Sequence, residues 1–223
     1  ILRAPPFREW SNGDLDFKQI REIRIEDLLE RKEISLNTKK ISSELDGKTI
    51  LITGAAGSIG SEIARQVLRF DVEKLILVDQ GETPLYELNN ELRHIDSNTR
   101  YEIVIGDVRN LSRMERAFKL FSPDVVYHAA AYKHVPLMEQ NPSEAILTNV
   151  HGTKNIADLC GQFKVEKMVY ISTDKAVNPS SIMGASKRIG EIYIQSLNTA
   201  LSEKGKHCKF VTTRFGNVLG SNG

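Results

Sequence analysis

Six apolar, β-rich runs separated by helical segments constrain this chain more than any other feature. They are TILIT (Thr49 to Thr53), KLILVD (Lys74 to Asp79), YEIVIGD (Tyr101 to Asp107), DVVYHAA (Asp124 to Ala130), KMVYIS (Lys167 to Ser172) and KFVTTRF (Lys209 to Phe215). Such runs read as strands buried on both faces. One intervening helix carries Ile59, Ile63 and Val67; another opens with Thr83 as cap and Pro84 in its first turn, then shows Leu85, Leu88, Leu92 and Ile95. Further helices are expected to start near Asn110, near Asn141-Pro142 and near Ser181. Strands joined one to the next through helices predict an α/β fold, a doubly wound parallel sheet with helices on both faces.

The 223 residues suffice for one sizeable domain, or for one domain with an appendage. Residues 1–47 are charge-rich and weakly periodic, and read as a linker or docking segment, or equally as a solvated arm, with a short helix around Ile25 to Arg31. Residues 48–223 form the expected dinucleotide-binding domain. The chain starts at Ile1 and stops at Gly223 just after a strand, so it reads as a piece of a longer protein whose C-terminal substrate part is missing. With 30 basic and 29 acidic side chains, a net charge of +1 gives no argument for nucleic acid or a membrane surface. Two cysteines, Cys160 and Cys208, stand far apart in sequence and suggest neither a disulfide framework nor a metal site, and Cys160 reads as a core residue in a reducing cytoplasm.

GAAGSIG, Gly54 to Gly60, lies between the first run and the first helix. Gly54, Gly57 and Gly60 permit a tight turn, and the amides around Ser58 and Ile59 can meet a pyrophosphate at a helix N-terminus. That context makes a Rossmann-like NAD(P) site the expectation. Asp79 ends the second run about 20 residues further on, placed to accept hydrogen bonds from the adenosine ribose. A carboxylate there repels a 2′-phosphate, which favours NAD and leaves NADP open; the plainer reading is an Asp that caps the following turn.

Polar residues gather at the carboxyl ends of the remaining runs: Asp107 and Val108, the stretch His128 to His134, Ser172 to Lys175, and Asn217. In open parallel sheets these ends hold the ligand. The glycine spacing, GDV, HAAA and ST resemble the extended short-chain dehydrogenase/reductase family of sugar-nucleotide enzymes. Within it, AAAYKHVPLMEQNP (129–142) and STDKAVNPSSIMGASKR (172–188) are similar to the large membrane-anchored UDP-N-acetylglucosamine 4,6-dehydratases of bacterial capsule, O-antigen and glycan synthesis.

The resemblance implies transient oxidation at C4 of a UDP-sugar by NAD(P), loss of water across C5 and C6, and return of the hydride to C6. Carried onto this chain, Thr173 bonds the C4 oxygen, Asp174 is the acid, Lys175 takes the C5 proton, and Lys187 reaches the nicotinamide ribose. Without that motif, Asp174 and Lys175 read as a surface ion pair. By the same resemblance, Asp107 and Val108 contact adenine, Ala129 and Ala130 line the cofactor cleft, Lys133 and Asn217 face the substrate, and Asn149 orients the site backbone. His134 can line the cleft, while a packed or hydrogen-bonded role suits His128 better.

Met183 occupies the position, four residues before Lys187, where a proton-transferring Tyr is usual in this fold. A thioether packs but carries no proton. By resemblance, Met marks the membrane-anchored branch and a product that keeps its C5 configuration. The C4 hydroxyl proton then goes to Asp174, to a water held by Thr173 or Lys187, or to a ribose hydroxyl. Further expectations are a homo-oligomer and a cytoplasmic domain anchored to the inner membrane through segments outside this chain. The competing functions are an epimerase or reductase on the same fold, and a non-catalytic NAD(P)-sensing module.

Overall fold

The computed structural model describes residues 2–3, 21–22, 37–95, 100–203, 205 and 208–218. The chain divides into two compact units, Ile1–Thr38 and Lys39–Gly223. In the first, β1 (Leu2–Arg3) and β2 (Arg21–Glu22) pair antiparallel. The helix expected around Ile25 to Arg31 lies outside the described residues.

The second unit is built on six strands: β3 (Thr49–Thr53), β4 (Lys74–Asp79), β5 (Arg100–Ile105), β6 (Val125–His128), β7 (Lys167–Thr173) and β8 (Lys209–Phe215). All neighbours are parallel, in the order β5-β4-β3-β6-β7-β8. The chain therefore winds outward from β3 to β5, returns beside β3 as β6, and winds outward again. Where the winding reverses, the connections leave β3 and β6 in opposite directions and open a crevice at the strand ends.

Alternation of side chains across the sheet makes two cores. Leu51, Ile76, Val126, Met168 and Tyr170 point to one face, with Phe118, Ile156, Leu159 and Ile194 from the covering helices. Ile50, Ile52, Leu75, Leu77 and Val125 point to the other, with Val67, Leu68, Leu85, Leu88 and Leu92. Fully buried residues of this size cost about 2–5 kcal/mol when cut to Ala. Cys160 and Cys208 meet in the first core as free thiols, and burial, with Cys208 alongside, pushes Cys160 up.

The helices are α1 (Thr38–Leu45), α2 (Ser58–Val67), α3 (Glu82–Leu92), α4 (Leu111–Phe121), α5 (Val135–Gln140), α6 (Pro142–Ala145), α7 (Thr153–Gln162) and α8 (Ile182–Glu203). Asn110 caps α4 by accepting from the Arg113 amide at 3.0 Å, and Ser181 Oγ accepts from the Gly184 amide at 3.1 Å ahead of α8.

Three local expectations need correction. Helix α3 starts at Glu82 with Gly81 as its cap, so Thr83 lies inside the first turn; the Asp79 carboxylate accepts from the Gly81 amide and starts the turn early. The third and fourth strands end at Ile105 and His128, before Asp107 and Ala130. The single helix expected after Asn141 is α6, a π-helical stretch Ile146–Gly152, and α7. Apolar periodicity of 3.6 does not register such a widened turn, which often marks a functional site.

Candidate active site

Gly54 follows β3 at φ 68°, and a Cβ there would lie 2.5 Å from the Ala130 nitrogen after β6. A Cβ on Gly60 would lie 2.1 Å from the Gly54 carbonyl oxygen. The turn is thus pressed against both the neighbouring strand end and its own helix, and the start of α2, Ser58 to Gly60, lines the adjoining hollow. Such a cradle fits a pyrophosphate.

Two adjoining hollows share this turn. The smaller, of about 120 Å³, is lined by Asp79, Gln80, Asp107, Val108, Ala129, Ala130, Tyr132 and Thr148. Asp79 spans it: Oδ2 accepts from the Ala56 amide and Oδ1 from Gly81, both at 3.0 Å. The carboxylate therefore both caps its turn and faces the hollow. Asp107 is bonded to the Arg109 amide at 2.8 Å and to its guanidinium, and Arg109 reaches on to Glu144 at 2.8 Å. Burial raises Asp107, but these bonds outweigh it and leave the carboxyl low. Thr148, 5% exposed, lies in the wall with its hydroxyl buried and without a hydrogen-bond partner, a group that a polar ligand in the hollow could satisfy. These features fit the adenosine end of a nicotinamide dinucleotide.

The larger hollow, of about 630 Å³, runs from Ser58, Ile59 and Gly60 past Lys133 and His134 to Thr173, Lys175, Met183, Lys187 and Asn217. The sheet delivers Thr173 from the end of β7, and helical spacing places Met183 and Lys187 on one face of α8. Met183 is 3% exposed and packs with Met138, Ala145 and Tyr132.

Asp174 lines neither hollow; Asn149 and His128, which also line neither, are buried, whereas Asp174 stands on the rim with a largely exposed side chain. The Thr173 hydroxyl donates to its Oδ1 at 3.0 Å, and the Lys175 ammonium lies 3.4 Å from the same oxygen and 3.1 Å from Asn217 Oδ1. Thr173 first, then Lys175, lowers Asp174 below the usual carboxylate range. A proton donor needs the opposite, so in this open arrangement Asp174 is charged.

Asn149, in the π-helical stretch, holds the loop after β6 to α8. Its Oδ1 accepts from the Tyr132 amide at 2.8 Å, and its Nδ2 donates to the Tyr132 carbonyl and to Ser186 Oγ. Beneath the loop, His128 is fully buried. Thr153 donates its hydroxyl to the Asn149 carbonyl, so it accepts from His128 Nε2, and His128 Nδ1 accepts from Thr53. Burial, with Lys187 nearby, takes this imidazole down to about 3.

Lys187 is 4% exposed, and its ammonium lies 4.2 Å from the centre of the Tyr170 ring. Burial lowers it to about 7, against the opposing pull of Glu191. Glu191 itself is fully buried between Arg214, bidentate at 2.8 and 2.7 Å, and Arg188 at 2.9 Å. Despite its burial, Arg214 and Arg188 hold it at about 2.

Residues 50–223 match the family described as polysaccharide biosynthesis protein. The chain belongs to that family. The capsular polysaccharide biosynthesis protein CapD of Staphylococcus aureus is 49% identical over 224 residues, 100% of this chain and 37% of that protein. A UDP-N-acetylglucosamine 4,6-dehydratase (inverting) of Campylobacter jejuni is 38% identical over 180 residues, 80% of this chain and 51% of that protein. Among solved structures, the Bordetella bronchiseptica enzyme WbmG in complex with NAD and UDP superposes with a TM-score of 0.60 at 26% identity, covering 74% of this chain and 52% of that one. The chain spans about half the length, or less, of these relatives. Kinship with the nucleotide-sugar short-chain dehydrogenase/reductases and the Rossmann-like fold stand as expected. No helix among the described residues is long and apolar enough to cross a membrane.

Several residues of the site escaped the sequence reading. Glu191 stands one helical turn beyond Lys187, so its spacing was available as a signal. Tyr132 lay within the quoted 129–142 stretch. Tyr170 and Arg214 reach the site by strand pairing and carried no local sign.

Proposed function

We propose that this chain is the cofactor-binding part of a sugar-nucleotide 4,6-dehydratase that converts UDP-N-acetylglucosamine to a UDP-4-keto-6-deoxy sugar for surface polysaccharide synthesis. The observation that carries the reading is the convergence of Thr173, Lys175, Met183, Lys187 and Asn217 on one hollow that begins at the glycine turn. When bound, a nicotinamide dinucleotide supplies a reversible hydride acceptor. Gly54, Gly57 and the start of α2 hold its pyrophosphate, and Asp79 its adenosine ribose. NAD is favoured over NADP because the Asp79 carboxylate faces that hollow and no arginine lines it among the described residues.

The chain's own groups then divide the work. Thr173 holds the C4 oxygen. Once C4 is a ketone, the C5 proton is acidic enough for Lys175, acting as its free amine, to remove, because the charge spreads into an enolate. Asp174 gives a proton to the departing C6 hydroxyl, which requires a bound sugar to separate it from Lys175 and from solvent, both of which now favour its charged form. Asn217 holds Lys175 at the hollow and faces the substrate.

The test is to incubate the intact protein with UDP-N-acetylglucosamine and NAD and follow loss of one water by mass, with the 4-keto-6-deoxy product assigned by NMR. Interconversion with the C4 epimer and no water loss means an epimerase. Tight NAD binding without turnover of any UDP-sugar means a sensing module.

A further inference from the structure

Three lysines line the larger hollow, and they differ in surroundings. Lys133 and Lys175 are exposed, and Lys175 is engaged with Asn217 and Asp174. Lys187 is 4% exposed and rests on the Tyr170 ring. Its nearest carboxylate along α8, Glu191, is committed to Arg214 and Arg188. One turn before it, Met183 shows the hollow a thioether.

Resting on the dehydratase reading, we propose that Lys187, as a free amine, is itself the group that takes the C4 hydroxyl proton of the sugar, in the place a phenol would otherwise fill. The O–H bond breaks and its proton bonds to Nζ, while the O–H electron pair becomes the second bond of the C4 ketone. The C4–H pair leaves as hydride to the nicotinamide, which is the oxidant. Later, Asp174 loses a proton with the C6 hydroxyl, and the proton held on Lys187 replaces it through solvent, so the cycle balances.

The surroundings favour that amine. Burial holds Lys187 at about 7, which makes the free amine available near neutral pH. The groups that act on it are Glu191 on its own helix, Tyr170 from β7 and the uncharged His128 from β6; Arg188 and Arg214 are held by Glu191, and Lys133 and Lys175 line the same hollow. The acid and the two arginines form a closed set, and the Tyr170 ring steadies the charged product after transfer.

Two experiments test it. In the cofactor-free intact protein carrying lysine labelled at the ε-carbon, NMR titration should show one amine, assigned by its loss in Lys187→Arg, titrating near 7. An amine charged to above pH 9 overturns the proposal. On mixing with NAD and UDP-N-acetylglucosamine, Lys187→Arg, whose guanidinium keeps the charge but cannot lose a proton, should form reduced nicotinamide more than about 100-fold slower. The wild-type rise in rate between pH 6 and 8 should vanish with it. In Lys187→Ala, ethylamine should restore at least about tenfold in proportion to its free base. If Lys187→Arg keeps the wild-type rate and pH profile, or ethylamine restores nothing to folded Lys187→Ala, the proposal falls. Absence of water loss in the wild type instead sinks the dehydratase reading, so the two failures are distinct.

Discussion

The Lys187 ammonium lies over the Tyr170 ring, 4.2 Å from its centre, with no carboxylate in ion-pair contact among the described residues. A buried cation held by a ring face keeps less of its hydration energy than one held by a carboxylate, so burial dominates and Lys187 is lowered to about 7. In the unfolded chain the same group stays charged to about 10.4.

Stability must then rise with pH across that gap, because the unfolded state binds the extra proton between 7 and about 10. From pH 7 to 9 the gain from Lys187 alone is about 2 kcal/mol. Urea unfolding of wild type and Lys187→Met at both pH values isolates it. The wild type should gain that amount relative to the variant, and the variant should be the more stable of the two at pH 7. An unchanged difference between pH 7 and 9 would show that Lys187 is charged in the folded protein throughout.

His128 predicts a dependence of the same sign in a more acidic window. Buried and neutral down to about 3, it destabilises the fold as pH falls below its ordinary value near 6.5. The unfolded state binds the proton first, so stability drains by roughly 1.4 kcal/mol per pH unit between about 6 and 3. His128→Gln should flatten acid unfolding over that window, at the cost of weaker bonds to Thr53 and Thr153. An identical acid midpoint in both proteins would contradict this.

Asn149 joins the loop after β6 to α8 through Tyr132 and Ser186. Asn149→Ala leaves the Tyr132 amide and carbonyl without partners in a half-buried loop, which costs about 2–3 kcal/mol. Because Tyr132 lines both hollows, NAD affinity should drop along with the melting temperature, whereas Asn149→Asp, which keeps the acceptor for Tyr132, should lose less of each. Calorimetric titration with NAD beside thermal unfolding decides it. Loss of stability with unchanged NAD affinity would make the clamp purely structural.

How much of this was legible beforehand follows from the range of the interactions. The six strands, the glycine turn and Asp79 are local patterns, and period and spacing reveal them. The Thr173, Lys175 and Lys187 positions came from the resemblance, not from periodicity. The π-helical stretch was not legible, because Asn149 and Thr153 set it with bonds to Tyr132, Ser186 and His128 that join distant segments. Nor was the lowered Lys187: its environment depends on Tyr170 reaching it from β7 and on Arg214 drawing Glu191 away from it. The rim position of Asp174 likewise depends on how β7 ends, one residue later than the apolar run suggests.

Asp79 carries the expected choice of cofactor. Its two oxygens are fixed by the amides of Ala56 and Gly81, 3.0 Å each, so the negative charge cannot swing away from a ribose phosphate. A 2′-phosphate placed there meets a fixed carboxylate with no arginine lining the hollow among the described residues to offset it, and NAD should bind at least about tenfold more tightly than NADP, a difference of about 1.4 kcal/mol. Asp79→Asn removes the charge and keeps an oxygen for one of the two amides. It should narrow the NAD to NADP ratio by about tenfold while the melting temperature falls modestly. Fluorescence titration with both reduced dinucleotides gives the ratio directly, and equal affinity for the two in the wild type would remove Asp79 as the discriminating group.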